Sequence, residues 1–187
     1  PDLYDLPGSK ALCVVKTLKA HETGKGPAFA QLEACREWLL AQSEEPVTQV
    51  GVMGFCMGGR FAVLYASQAP VQVVAPFYGG LPKKAETLRG ICPAVGGWGK
   101  QDMLYGDHGE RLASHLETLG VPHDIRSYDD VGHSFMNDHQ TFTFKKLGPL
   151  PPLRSKFDAG ASEDSWQRVL AFFEKVFSGE LTATPAA

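Results

Sequence analysis

Apolar positions along this chain recur in two rhythms, and the alternation between them predicts its architecture. Apolar residues interspersed with lysines suggest a short helix over residues 12–19. Leu32, Cys35, Trp38 and Leu39 recur at steps of three and four and predict a helix over 28–42, ended by Glu44-Glu45-Pro46. Residues 47–53 are valine-rich and read as a buried strand, followed by a tight glycine-rich turn over 54–59 and a helix over 61–68. Further strands are predicted over 71–77, closed by Gly79-Gly80, then over 91–97 and 124–128. Residues 104–119 have helical periodicity and stop at Gly120. Residues 141–162 hold Gly148, Pro149, Pro151, Pro152 and Gly160 and read as a long loop or flap. A last amphipathic helix is expected over 165–177, with Trp166, Val169, Leu170, Phe173 and Val176 on one face. The tail after Gly179 is expected to fray.

Strands alternating with helices predict a mostly parallel sheet with helices on both faces. No internal repeat breaks this pattern, and 187 residues suffice for one domain with a sizeable core. The net charge of -3 gives no reason to expect a nucleic-acid partner, and no apolar run is long enough for a bilayer. Cys13, Cys35, Cys56 and Cys92 form no CxxC pair, so neither a metal site nor a disulfide framework is expected. Reduced thiols in a cytoplasmic setting fit this usage.

Gly54-Phe55-Cys56-Met57-Gly58-Gly59 adds candidate chemistry. A strand that runs through a glycine-flanked cysteine into a helix holds the sulfur at the top of the sheet. A Cβ at Gly54 or Gly58 is expected to crowd the strand or helix. The helix N-terminus behind the sulfur favours thiolate and offers N–H groups to an oxyanion. Such a turn could instead cradle a phosphate, but neither G-x-G-x-x-G nor G-K-[ST] is present. The remaining alternative is a merely structural cysteine.

A nucleophilic cysteine needs a base and a group that orients it. Asp102, in Gly99-Lys100-Gln101-Asp102, follows the strand over 91–97. His133, in Gly132-His133-Ser134-Phe135, follows the strand over 124–128. Both stand at C-terminal strand ends, where open α/β sheets build their sites. His21, His108, His123 and His139 read as solvated surface residues, and Asp107 as a helix N-cap. Asp129 and Asp130 are the rival acids.

The segments GFCMGGRFA, GKQD and GHSF, with the opening Pro1-Asp2-Leu3-Tyr4, resemble the motifs of the dienelactone hydrolase family. The resemblance implies an α/β-hydrolase fold and hydrolysis of a small ester or lactone without cofactor or metal. It implies that Cys56 attacks the carbonyl, His133 shuttles the proton, Asp102 orients His133 and the Met57 N–H is one oxyanion donor. Phe55, Tyr78, Ser134, Phe135 and Asn137 are the expected substrate contacts. The family holds its substrate's carboxylate with two arginines. Here none occurs between Tyr4 and Arg36, and Asn137 stands four residues after His133. A neutral or singly charged, partly apolar substrate is therefore expected. Family members also carry strands ahead of the PDLY segment, so the domain is expected to lack its N-terminal strands. The strand over 47–53 would then have an open edge that invites self-association. The competing reading is a catalytically idle protein of this fold that binds a ligand or partner. A thiol-redox role is disfavoured by the lack of a second cysteine near Cys56.

Overall fold

The structure is a computed structural model that describes residues 10–42 and 47–182, with backbone alone for 10–14. The PDLY segment and the helix stop at Glu44-Glu45-Pro46 lie outside the described residues. Four strands, β1 (Gly51–Phe55), β2 (Val73–Phe77), β3 (Ala94–Gly99) and β4 (His123–Tyr128), form one parallel sheet in chain order. Among the described residues β1 pairs with β2 alone.

The first three strands start later than apolar runs suggest, for local reasons, while β4 starts one residue earlier. Val50 is already tied to Gln72, donating its N–H to Oε1 and accepting the Gln72 N–H. β3 starts only at Ala94 because Pro93 has no N–H to give. It runs on to Gly99, two residues past the expected end. Its glycines permit unusually close neighbours. A Cβ on Gly96 would lie 2.2 Å from the Pro76 carbonyl oxygen, and one on Gly99 would lie 2.4 Å from those of Val131 and Gly132. The second contact brings the end of β3 against the segment that carries His133.

Helices cover both faces. α3 (Met57–Ala66) packs on β1 and β2, and α4 (His108–Leu119) packs on β3 and β4. Gly109 of α4 comes close to Trp98 and Ser127, over a core that includes Leu112 and Leu116. On the other face, α6 (Ala159–Phe177) brings Phe173 close to Gly51, while Tyr128 of β4 hydrogen-bonds Asp164 and Ser165. α1 (Lys10–Thr23) and α2 (Pro27–Gln42) lean on α3 around Ala20, Ala28 and Phe61. Arg60 Nε donates to the His21 carbonyl at 2.7 Å, and Tyr65 donates to Glu33.

Several expectations need correction. α2 packs through its first turns, leaving Trp38 and Leu39 exposed. α6 starts at Ala159, with the Asp158 carboxylate accepting the Ala161 N–H as a cap. Its buried face runs through Ala161, Ser165, Val169, Phe172 and Val176, while Trp166 and Leu170 are exposed. Small residues let the helix lie close to the sheet, and the pattern of large apolar residues does not reveal that. The expected flap over 141–162 contains a short helix, α5 (Phe142–Leu147). α4 begins at His108 rather than 104 and ends, as expected, on Gly120 in the left-handed region. Asp107 precedes it without capping, because its carboxylate takes Arg111 instead. No helix among the described residues is long and apolar enough to cross a membrane.

Candidate active site

Cys56 follows β1 with φ 54° and ψ -121°, a backbone state that costs a non-glycine residue energy and marks functional turns. The turn is clipped on both sides. The Cys56 N–H donates to the Phe77 carbonyl and the Cys56 carbonyl accepts the Gly59 N–H, both at 3.0 Å. Gly54 is forced by space, since a Cβ there would sit 2.1 Å from the Gly58 carbonyl oxygen. The matching expectation for Gly58 fails, because its Cβ would meet nothing within 4 Å. Gly59 is the tight position, where a Cβ would lie 3.0 Å from the Phe77 carbonyl oxygen. The result is a thiol-bearing residue exposed at the start of α3.

Asp102 and His133 are brought together at the ends of β3 and β4. The Asp102 side chain is buried and fully used. Oδ1 accepts the N–H groups of Leu104 and Tyr105, and Oδ2 lies 2.7 Å from His133 Nδ1. A carboxylate can only accept, so Nδ1 carries the proton. The two amides take up the chain just after Asp102, which explains why α4 starts late. His133 is fixed from behind, its N–H donating to the Leu153 carbonyl at 2.9 Å. A Cβ on the preceding Gly132 would lie 2.2 Å from the Arg154 carbonyl oxygen, so this segment presses directly on the histidine turn.

His133 Nε2 is buried and makes no hydrogen bond of ordinary geometry. Such contacts are often long before substrate binds. The electrostatics nonetheless couple this ring to Cys56. The imidazole holds the thiol below its ordinary range, against burial, and the Met57 backbone N–H adds to the effect. For His133, burial alone would lower the pKa. Asp102 and Cys56 together overcome it and raise the pKa to about 9. Both directions favour a thiolate–imidazolium pair. Burial pushes the Cys92 thiol the other way, up to about 12. Brief, substoichiometric iodoacetamide should therefore label Cys56 first, and its rate should persist as pH falls below the ordinary thiol range. Peptide mapping that finds Cys35 or Cys92 labelled ahead of Cys56 would contradict this.

The expected substrate contacts separate into two groups. Phe135 is fully buried against Tyr78 and Tyr128, so it supports the site from the core and offers no surface to a ligand. Tyr78 is also nearly inaccessible. It follows β2 at φ 39°, donates its hydroxyl to Asn137 Oδ1 and packs edge-on to His133 with ring centroids 5.1 Å apart. Burial and the neighbouring Cys56 push its hydroxyl pKa far up, so it stays neutral. Ser134 has φ 52° and a buried Oγ without a hydrogen-bond partner. Phe55 and Asn137 are half-buried, and Phe55 stacks on Phe77. Asn137 also lines a cleft of about 270 Å³ with His139, Phe144, Lys145, Lys156 and Phe157.

The other histidines are not the solvated residues expected. His108 Nδ1 accepts the Leu81 N–H at 3.0 Å, and burial, then Arg111, lowers its pKa. His123 bonds the Val121 carbonyl, His139 stacks on Phe144, and His21 packs edge-on to Phe61. Of the rival acids, Asp129 is exposed and pairs with Lys100 at 2.9 Å, and Asp130 is exposed. Sequence reasoning missed Tyr105, whose ring lies 5.8 Å from that of His133. Its only sequence signal is its place three residues after Asp102. Among the described residues no group of three or more His, Cys, Asp or Glu side chains is gathered to hold a metal ion.

Known proteins resemble this chain in sequence and in fold. A carboxymethylenebutenolidase from Rhodococcus opacus is 32% identical over 152 residues, covering 74% of this chain and 55% of that enzyme. The chain thus spans little more than half the length of that relative. A dienelactone hydrolase-like promiscuous phosphotriesterase from metagenomic libraries superposes with a TM-score of 0.63 at 25% identity, over 77% of this chain and 59% of that one. An α/β hydrolase from a Medee basin deep-sea metagenome shares the fold at a TM-score of 0.53 and 13% identity, over 85% of this chain and 63% of its own. The sequence profile described as the dienelactone hydrolase family matches residues 1–177, and the chain belongs to that family.

Proposed function

We propose that this chain hydrolyses a small ester or lactone through an acyl-enzyme on Cys56. The observation that carries the reading is the 2.7 Å Asp102–His133 bond, in a ring whose other side depresses the titration of an exposed thiol. The Cys56 thiolate attacks the carbonyl carbon, and the Met57 N–H faces the developing oxyanion. The tetrahedral species collapses to a thioester and expels an alkoxide, which takes the proton from His133 Nε2. His133 then removes a proton from water, the hydroxide attacks the thioester, and the acid leaves as the thiolate is restored. Asp102 keeps Nδ1 protonated throughout and offsets the charge on the ring.

The substrate is neutral or singly charged. Asn137, committed to the Tyr78 hydroxyl, offers no guanidinium for bidentate capture of a carboxylate. The carboxymethylenebutenolidase relative lends the lactone class, although this chain is not proposed to prefer the dienelactone itself. Unpaired Cys35, Cys56 and Cys92 accord with a reducing, cytoplasmic setting.

Rapid mixing with p-nitrophenyl acetate tests the reading. A stoichiometric burst of p-nitrophenol, steady turnover and a single hydroxylamine-labile acetyl group on the Cys56 peptide are expected. Turnover without an adduct, or acetylation elsewhere, refutes the covalent route. Absence of both burst and turnover would instead identify an idle binding protein.

A further inference from the structure

We infer that Tyr105 is a positioning residue for His133, its ring joining that of Tyr78 to hold the imidazole against Asp102 and to favour the charged ring. The inference rests on the reading of His133 as the acid–base group of ester hydrolysis, and it assigns that group's orientation to a residue outside the three motifs.

Tyr105 touches both members of the Asp102–His133 pair. Its N–H donates to Asp102 Oδ1 at 3.2 Å, while its ring centroid lies 5.8 Å from that of His133 at an interplanar angle of 43°. Tyr78 meets the same imidazole at 5.1 Å and 61°. An aromatic face carries negative potential, so it is the tilted Tyr105 ring that favours an adjacent cation, while the edge-on Tyr78 ring contributes packing. Both rings restrict rotation of the imidazole, leaving Nε2 aimed at the thiol.

The Tyr105 ring is itself boxed in. A Cβ on Gly80 would lie 3.3 Å from its Cε1, and His108 packs edge-on at 5.3 Å. His108 is neutral where its Nδ1 accepts the Leu81 N–H, so the cation that Tyr105 can serve is His133. The titratable groups around the imidazole are Cys56 after β1, Tyr78 after β2, Asp102 after β3 and Tyr105 before α4. Arg154, on the segment behind His133, is exposed. Tyr105 thus meets the pair twice, its backbone N–H on the carboxylate, beside that of Leu104, and its ring on the imidazole.

The test is an NMR titration of the His133 ring in the full chain, with Tyr105→Phe and Tyr105→Leu, alongside the pH profile of p-nitrophenyl acetate turnover. Tyr105→Phe keeps the ring and should keep the wild-type His133 midpoint. Tyr105→Leu should lower that midpoint by about half a unit to one unit. It should also lower kcat by about 10-fold, with little change in KM. A Tyr105→Leu protein with the wild-type midpoint overturns the inference. Should that variant not fold, 3,4,5-trifluorophenylalanine at position 105 keeps the shape but weakens the ring face. It should titrate below Tyr105→Phe, and equal midpoints overturn the inference. The titration reads His133 whether or not ester is turned over. A protein that titrates as expected but never acylates supports the Tyr105 assignment and refutes the hydrolytic reading.

Discussion

Cys56→Ala should lower kcat for ester hydrolysis by about 10⁵- to 10⁶-fold, and Asp102→Asn by about 10⁴-fold. The first change removes the attacking atom, leaving only a pocket and an oxyanion donor. The second keeps the shape of the side chain and the acceptor for the Leu104 and Tyr105 N–H groups. What it loses is the acceptor facing His133. An amide N–H directed at Nδ1 forces the ring proton onto Nε2, so the imidazole presents a donor to the thiol when a base is needed. Steady-state kinetics measures both losses. Alkylation at neutral pH separates them further. Cys56 in Asp102→Asn should react more slowly, because the imidazolium that depresses its titration is no longer supported. Wild-type kcat in Asp102→Asn would refute the proposed role of the carboxylate.

Gly54→Ala should destabilise the fold by about 3 kcal/mol or more, whereas Gly58→Ala should be neutral or stabilising by roughly 0.5–1 kcal/mol. These glycines lie four residues apart on the same turn, yet their surroundings differ completely. The new Cβ at position 54 would fall 2.1 Å from the Gly58 carbonyl oxygen, 2.5 Å from its carbon and 2.9 Å from the Gly59 nitrogen. All three are backbone atoms, so no rotamer change relieves the clash. The first turn of α3 would have to lift from β1, taking Cys56 and its two backbone bonds with it. At position 58 nothing lies within 4 Å, and alanine is the better helix former. Urea unfolding of the two variants measures the difference. Similar midpoints for both would contradict the close approach of α3 to β1.

These two cases also mark how far the sequence could be read. Alternating strands and helices predicted the parallel sheet, and the positions of Cys56, Asp102 and His133, after β1, β3 and β4, pointed to the candidate site. Local patterns could not see across the sheet. The roles of Gly99 and Gly132 come from carbonyl groups that approach from other segments, and the Tyr105 ring meets that of His133, 28 positions further along the chain. Side-chain size misled at α6, where Ser165 and Ala161 are buried while Trp166 and Leu170 are not. Chemical type misled for Phe135 and His108. An aromatic beside a candidate catalytic motif can belong to the core, and a histidine can be drawn partly out of solvent by accepting one backbone N–H.

Cys56, Tyr78 and Ser134 all hold positive φ at the rim of the sheet. Each such residue costs about 1–3 kcal/mol, a sizeable part of the roughly 5–15 kcal/mol by which a domain is stable. Glycine at position 56 or 134 would relieve that cost by adopting the same backbone freely. Laboratory evolution for thermal resistance alone should therefore drift toward glycine at these positions, and at 56 it would discard the sulfur. Selection on this fold must score turnover and heat tolerance together, because here the two pull on the same backbone angles.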